Sequence, residues 1–252
     1  MHDSFDFNDR TVLVTGGARG IGLELSRQLA AKGAYVIAVG RDAASLDALA
    51  MQLHGSVTIR QVDLGTSGSA EALSQWVAET RPQCSALINN AAIMHHTDLT
   101  VDSQARLDAM SAEIAVNLTA PLQLSVAMLP VLSAHPSSAI VNVTSGLAIA
   151  PKREAAVYCA SKAALRSFTR SLRDQCRAAK LPIQLTEAVM TLVDTTLSCA
   201  GPLRKYPPAL AAAELIAGIE RGLDEIWIEK TKLLRIVHRL SPELAYCIMR
   251  DR

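Results

Sequence analysis

The chain has 252 residues, half of them hydrophobic and 19% charged, which excludes general disorder and leaves enough apolar mass for a large core. Lys and Arg number 25 against 24 Asp and Glu, a net charge of +1, which argues against nucleic-acid binding by a broad basic surface. No uncharged apolar run reaches the roughly 18 residues that a membrane-spanning helix needs.

The opening residues MHDSFDFNDR are acidic and polar, with no basic stretch leading an apolar one, so no secretory signal is expected. Short β-branched runs then alternate with helical patterns. Strands are expected at 11–15, 35–39, 57–63, 85–89, 139–145, 182–190 and 225–229. Helices are expected at 21–33, 41–53, 69–81, 156–179 and 208–222. Residues 102–134 form one long helical pattern with local breaks at Pro121 and Pro130. The tail at 231–252 is basic and amphipathic and reads as two short helices broken at Ser241-Pro242. Packing on the sheet edge or on a partner subunit is favoured for it over a membrane surface.

Strict β–α alternation with nearly continuous apolar strands predicts an α/β fold, a Rossmann-type doubly wound parallel sheet of about seven strands with helices on both faces. No Pro-, Gly- or Ser-rich linker divides residues 1–252, so a single domain is expected. Cys84, Cys159, Cys176, Cys199 and Cys247 are odd in number and scattered, with no C-x-x-C pair. They read as reduced thiols in a cytosolic protein, without a disulfide framework or zinc site.

TVLVTGGARGIGLEL (11–25) places Gly16, Gly20 and Gly22 at the first strand-to-helix junction. Glycines there permit a tight turn and close approach of a diphosphate to the helix N-terminus. A glycine turn alone is a weak signal; the strand before it and the helix after it strengthen it. Thr15, Gly16, Gly20, Ile21 and Gly22 resemble the T-G-x-x-x-G-I-G signature of the short-chain dehydrogenase/reductase family, which implies a nicotinamide cofactor.

The second strand runs out at Val39-Gly40-Arg41-Asp42. Gly40 occupies the place where an acidic residue would accept hydrogen bonds from the adenosine ribose. An arginine fork at Arg41 would hold a 2′-phosphate, and Arg19 would add a second positive charge. NADPH is therefore favoured, with NADH as the alternative. Asp42 reads either as the N-cap of the next helix or, in a slipped register, as the ribose acid.

In AVYCASKAAL (156–165), Tyr158 and Lys162 stand at i and i+4, on one helical face. A lysine ammonium beside a phenol favours the phenolate, so the pair suits acid/base work. Ser145 closes the fifth strand thirteen residues before Tyr158, at the sheet end where ligands bind in this fold. Its hydroxyl is placed to hold a substrate oxygen.

These residues again resemble the short-chain dehydrogenase/reductase family. The resemblance implies that Tyr158 exchanges the substrate proton, Ser145 orients the carbonyl, and Lys162 lowers the tyrosine pKa and binds the nicotinamide ribose. It also implies that Asn117 completes a water-linked relay and that Asp63 and Leu64 lie near the adenine. Asn89, Asn90 and Ala91 match the motif that ends the fourth strand, although Ala92 stands where the family usually has glycine. Thr195 matches the residue that touches the carboxamide, while Met190 and Thr191 replace the usual proline pair before it. GLELSRQLA, VTSGLAIAP and VYCASKAALRSF most resemble a bacterial subgroup, the DltE-like oxidoreductases named after the D-alanyl-lipoteichoic-acid locus.

The implied activity is reduction of a ketone or aldehyde, reversible to the alcohol. An epimerase or dehydratase on the same fold is one alternative; a cofactor-binding regulatory or scaffold protein without turnover is another. A short lid over 196–207 and an open pocket are expected. Met94, His95, Leu147, Met190 and Cys199 would line it, with Lys152 and Arg153 nearby; the sequence does not choose between an apolar and an acidic substrate. The adjacent His95 and His96 point in different directions in most backbones, and no metal site is expected from them. By the resemblance, the long helix at 156–179 serves as a subunit contact in a homodimer or homotetramer.

Overall fold

The computed structural model describes residues 5–96, 98–100, 104–195 and 205–251. Among these, seven strands form one sheet: β1 (Thr11–Thr15), β2 (Tyr35–Gly40), β3 (Val57–Gln61), β4 (Cys84–Asn89), β5 (Ser138–Ser145), β6 (Ile183–Met190) and β7 (Glu225–Trp227). Their order is β3-β2-β1-β4-β5-β6-β7 and every pairing is parallel. The order reverses between β1 and β4, which opens a crevice beyond the carboxyl ends of the central strands.

Strands β1, β4, β5 and β6 are buried along their whole length, as expected of a sheet covered on both faces. One face packs on α1 (Gly20–Ala31), α2 (Ala43–Gln52) and α8 (Pro208–Glu220), around Leu25, Leu29, Leu46 and Leu215. The other packs on α3 (Ser69–Thr80), α5 (Ala120–Ala127), α6 (Leu129–Ser133) and α7 (Ala156–Ala178), around Leu73, Leu124, Leu132 and Leu172. No helix among the described residues is long and apolar enough to cross a membrane. Cys84, Cys159, Cys176 and Cys247 are free thiols; Cys199 lies outside the described residues.

The predicted 102–134 helix is divided. After α4 (Gln104–Ile114), residues Ala115–Thr119 form a π turn, and α5 and α6 follow. Pro121 and Pro130 each sit in the first turn of a new helix, where a missing N–H costs nothing. The breaks therefore precede the prolines. Strand β7 is shorter than expected, and Glu229 beyond it has φ +48°.

The tail forms α9 (Thr231–Leu240) and α10 (Pro242–Arg250), divided at Ser241, whose hydroxyl accepts from Leu244 N and so caps α10. Its inward residues Leu234 and Ala245 pack with Ala150, and Arg235 lies over Trp227 on the edge strand β7. The tail thus reaches both the sheet edge and the loop after β5.

Candidate active site

The turn after β1 brings Gly16 to φ +66°, in the left-handed region that favours glycine. A Cβ on Gly22 would come within 2.0 Å of the Gly16 carbonyl oxygen, so only glycine allows this turn to close. Ile21 packs beside it on the core. Arg19, the N-cap of α1, makes no side-chain cap, which leaves the first-turn amides to a ligand. The turn is clipped to β4 from below. The Thr15 hydroxyl accepts from the backbone N–H of Asn90 and of Ala91, each at 3.0 Å, and Asn90 Nδ2 donates to the Thr15 carbonyl at 3.0 Å.

Arg41 is exposed at the end of β2. Asp42 is the N-cap of α2: its carboxylate accepts from Ser45 N at 2.7 Å. It also pairs with Arg19 at 2.9 Å, and Arg19 Nε donates to the Ser45 hydroxyl at 2.9 Å. Those hydrogen bonds with Ser45, then the Arg19 charge, hold the Asp42 carboxyl below its ordinary value. The second positive charge expected of Arg19 is therefore already countered by Asp42. Asp63 Oδ1 accepts from Gly65 N at 2.9 Å and shapes the turn that carries Leu64.

One cleft of about 1090 Å³ runs from this region along the carboxyl edge of the sheet. Gly16, Arg19, Gly20, Ile21, Arg41, Asp63, Leu64, Asn90 and Ala91 line its first half. Thr195 lines it beside Gly20, where a Cβ would stand 2.9 Å from Thr195 Cγ2. Ser145, Tyr158 and Lys162 line its middle.

Helix α7 delivers Tyr158 and Lys162 on its inward stripe, together with Ser161, Leu165, Thr169 and Leu172. Tyr158 and Ser145 are each 8% exposed and Lys162 2%. The Lys162 ammonium donates to the Val143 carbonyl at 2.9 Å and lies 5.7 Å from the Tyr158 ring centre. Burial lowers the Lys162 pKa to about 8.

The expected lowering of the tyrosine pKa is not what these residues produce. Burial pushes Tyr158 up to about 12, against a smaller downward pull from the Ser145 hydrogen bond. Desolvation disfavours the phenolate more than the neighbouring groups favour it, so the phenol keeps its proton.

Asn117 sits on the π turn, fully buried. Its Oδ1 accepts from Ile93 N at 2.8 Å and its Nδ2 donates to Ile93 O at 2.7 Å. Asn89 Nδ2 donates to Asn142 Oδ1 at 2.8 Å and to the Ser125 hydroxyl at 3.1 Å, which ties β4 to β5 below the cleft.

Two carboxylates escaped the sequence reading. Glu113, 2% exposed, accepts from the His95 backbone N–H and lies 3.3 Å from His95 Nδ1. Its charge adds to the upward push on Tyr158. Its one signal is its place four residues before Asn117, on the same helical face. Glu187, fully buried on β6, binds Arg166 Nη1 through both oxygens at 2.7 Å and accepts from the Thr144 hydroxyl at 2.6 Å. It is the one acid in β6, a strand that also buries Gln184 and Thr186. His96 faces Glu154 instead, at 3.8 Å, so the two histidines address different carboxylates.

Met94, His95, Leu147 and Met190 line the cleft as expected, and Lys152 is beside them. Arg153 instead pairs with Asp251 after α10. Residues 196–204 of the expected lid lie outside the described residues, Cys199 among them.

A family model described as short chain dehydrogenase matches residues 10–200. The chain belongs to the short chain dehydrogenase family. It is 40% identical over 190 residues to DltE, an uncharacterized oxidoreductase of Bacillus subtilis (strain 168), covering 75% of this chain and 74% of that one. It is 28% identical over 249 residues to a fatty acyl-CoA reductase of Acinetobacter baylyi, covering 95% and 83%. Among solved structures, a metagenomic short-chain oxidoreductase in complex with NADP aligns with a TM-score of 0.72 at 26% identity, covering 86% of this chain and 94% of that one. The chain is thus a short-chain dehydrogenase/reductase of the DltE-like kind, as the sequence resemblance implied.

Proposed function

We propose that this short-chain dehydrogenase/reductase is an NADPH-dependent carbonyl reductase that converts a ketone or aldehyde to the alcohol. The observation that carries the reading is the juxtaposition of Ser145, Tyr158 and Lys162 in the same cleft as the glycine turn. The residues present fit a nicotinamide dinucleotide. Gly22 lets the turn close on Gly16, and Gly16, Gly20 and Ile21 line the cleft at the first turn of α1. Asp63 and Leu64 would border the adenine, Asn90 and Ala91 the adjoining ribose and diphosphate, and Thr195 the carboxamide. Arg41 would hold a 2′-phosphate; Arg19 assists it while tied to Asp42. The NADP in the metagenomic relative supports this preference.

When bound, the nicotinamide supplies the hydride for the carbonyl carbon. Tyr158 donates its proton to the carbonyl oxygen, and a phenol held protonated by burial is the form a reduction needs. The Ser145 hydroxyl holds that oxygen as charge develops on it. Lys162 places a positive charge beside the tyrosine and would reach the nicotinamide ribose. Asn117, fixed by Ile93, completes the set as the relay residue. The name of the Acinetobacter relative supports the reductive direction. We assign assembly as a homodimer or homotetramer, supported by the exposed apolar residues Leu107, Ile114 and Val126 on α4 and α5.

The test is consumption of NADPH and NADH against ketones, aldehydes and quinones, with Tyr158→Phe alongside. NADPH-preferring turnover is expected. It should fall by at least about a hundredfold in the variant, a typical general-acid contribution, while NADPH affinity stays unchanged. Binding of NADPH with no turnover of any compound would favour the regulatory reading.

A further inference from the structure

We propose that the helix pair α9–α10 is the substrate-recognition wall of the cleft and that it selects an uncharged carbonyl compound with an extended apolar body. This rests on the reductase reading above. The cleft does not end at Tyr158. Beyond it, Leu233, Leu234 and Val237 of α9 and Ile248 and Met249 of α10 form one side. Met94, Leu147, Met190 and Leu192 line the same cleft.

The wall is seated close to the reacting groups. A Cβ on Gly146, the residue after Ser145, would come within 3.0 Å of Leu234 Cδ2. Thr231 at the start of α9 anchors the pair by donating to the carbonyls of Ile228 and Val189, at 2.7 and 3.2 Å. A substrate whose oxygen lies at Ser145 and Tyr158 must therefore send its larger substituent past Leu147 and along α9.

Charge decides between an apolar and an acidic substrate. Each lysine lining this end already faces a carboxylate: Lys152 with Glu154 at 3.1 Å, Lys205 with Asp194 at 3.4 Å, and Lys230 with Glu229 at 3.4 Å. Among the described residues no guanidinium lines this half of the cleft, so they offer no fork of the kind that usually reads a carboxylate. An anion would give up its hydration for lysines that are already balanced, whereas an apolar chain would cover Leu233 and Ile248, 63% and 38% exposed.

The experiment measures kcat/KM with NADPH for the 2-alkanones from 2-butanone to 2-undecanone, and for 10-oxoundecanoate as the anionic counterpart of the longest. The expected slope is a rise of about three- to fourfold per methylene until the wall is spanned, with the oxo acid well below 2-undecanone. Leu233→Gln and Ile248→Gln, both at exposed positions, should flatten the slope. Leu240→Gln, on the same helix but not lining the cleft, should leave it unchanged. A flat slope in the wild type, or a preference for the oxo acid, would overturn the proposal while leaving the reductase reading standing. Calorimetric binding of 2-undecanone to the NADP-loaded protein separates the other failure. Binding weakened by Leu233→Gln without any turnover would uphold the wall and sink the reductase reading.

Discussion

Arg41 and Asp42 are neighbours with opposite charge, and their surroundings give them different work. Asp42 is committed to Ser45 N and to Arg19 and stays ionised at the head of α2. Arg41 is exposed at the lip of the cleft, and no ion pair among the described residues involves it. A 2′-phosphate would supply the missing counter-charge. Arg41→Asp should therefore lower kcat/KM with NADPH about ten- to a hundredfold, the loss of one charge-assisted hydrogen-bond pair, and change NADH turnover little. Steady-state kinetics with both cofactors checks this; an unchanged ratio would remove Arg41 from the phosphate site. That Gly16, Ser145, Tyr158 and Lys162 share one cleft was legible in the sequence, because they stand at strand ends and on one helix face. Glu113 was not, since a carboxylate on a helix ordinarily faces water; only the tertiary contact with His95 shows it buried. The direction of the tyrosine shift was missed for a related reason: the i, i+4 spacing shows a lysine nearby but not the burial, which outweighs the Ser145 hydrogen bond.

At the scale of elements, the alternation of strands and helices was readable because the buried parallel strands are mostly apolar, whereas the order β3-β2-β1-β4-β5-β6-β7 was not. Boundaries inside 102–134 were not. A proline marks a break, but the sequence does not say that the chain reopens a turn before it, and here the reopened turn is the π segment carrying Asn117. The coupling of α7 to β6 was hidden as well. Arg166 and Glu187 join them, Arg166 Nη1 donating to both carboxylate oxygens, and Arg166 also lies over Trp227 of β7. Arg166→Met would leave the Glu187 carboxylate buried with the Thr144 hydroxyl as its remaining partner. The expected cost is about 3–5 kcal/mol of unfolding free energy, read by urea denaturation. Replacing both residues, as in Arg166→Met with Glu187→Leu, should recover most of it, because the buried charge is then gone. A single variant as stable as the wild type would mean that the pair contributes nothing to the α7–β6 contact.

At the scale of the whole molecule, the buried lysine that serves the cleft is also a burden on the fold. Lys162 has its pKa lowered by burial from 10.5 to about 8. Below about pH 8 it is charged in both states, and the folded protein carries the full cost of desolvating that charge. Between about 8 and 10.5 the unfolded chain binds more protons than the folded one, so raising the pH through this window favours folding. Two to three pKa units correspond to about 3 kcal/mol. Tyr158 and Cys84, both pushed up by burial to about 12, act in the opposite sense at higher pH, because the folded state holds their protons after the unfolded chain has lost them. Lys162→Met isolates the lysine, since the other groups are common to both proteins. The stability of the variant minus that of the wild type should be largest near neutral pH. It should shrink steadily between about pH 8 and 10.5, by roughly 3 kcal/mol in total, in urea titrations at fixed ionic strength. The lost bond to Val143 O offsets the whole curve without changing its slope. A difference that does not move with pH would show that Lys162 keeps its proton in the folded protein across the whole window. Its burial would then place no pH-dependent load on the fold.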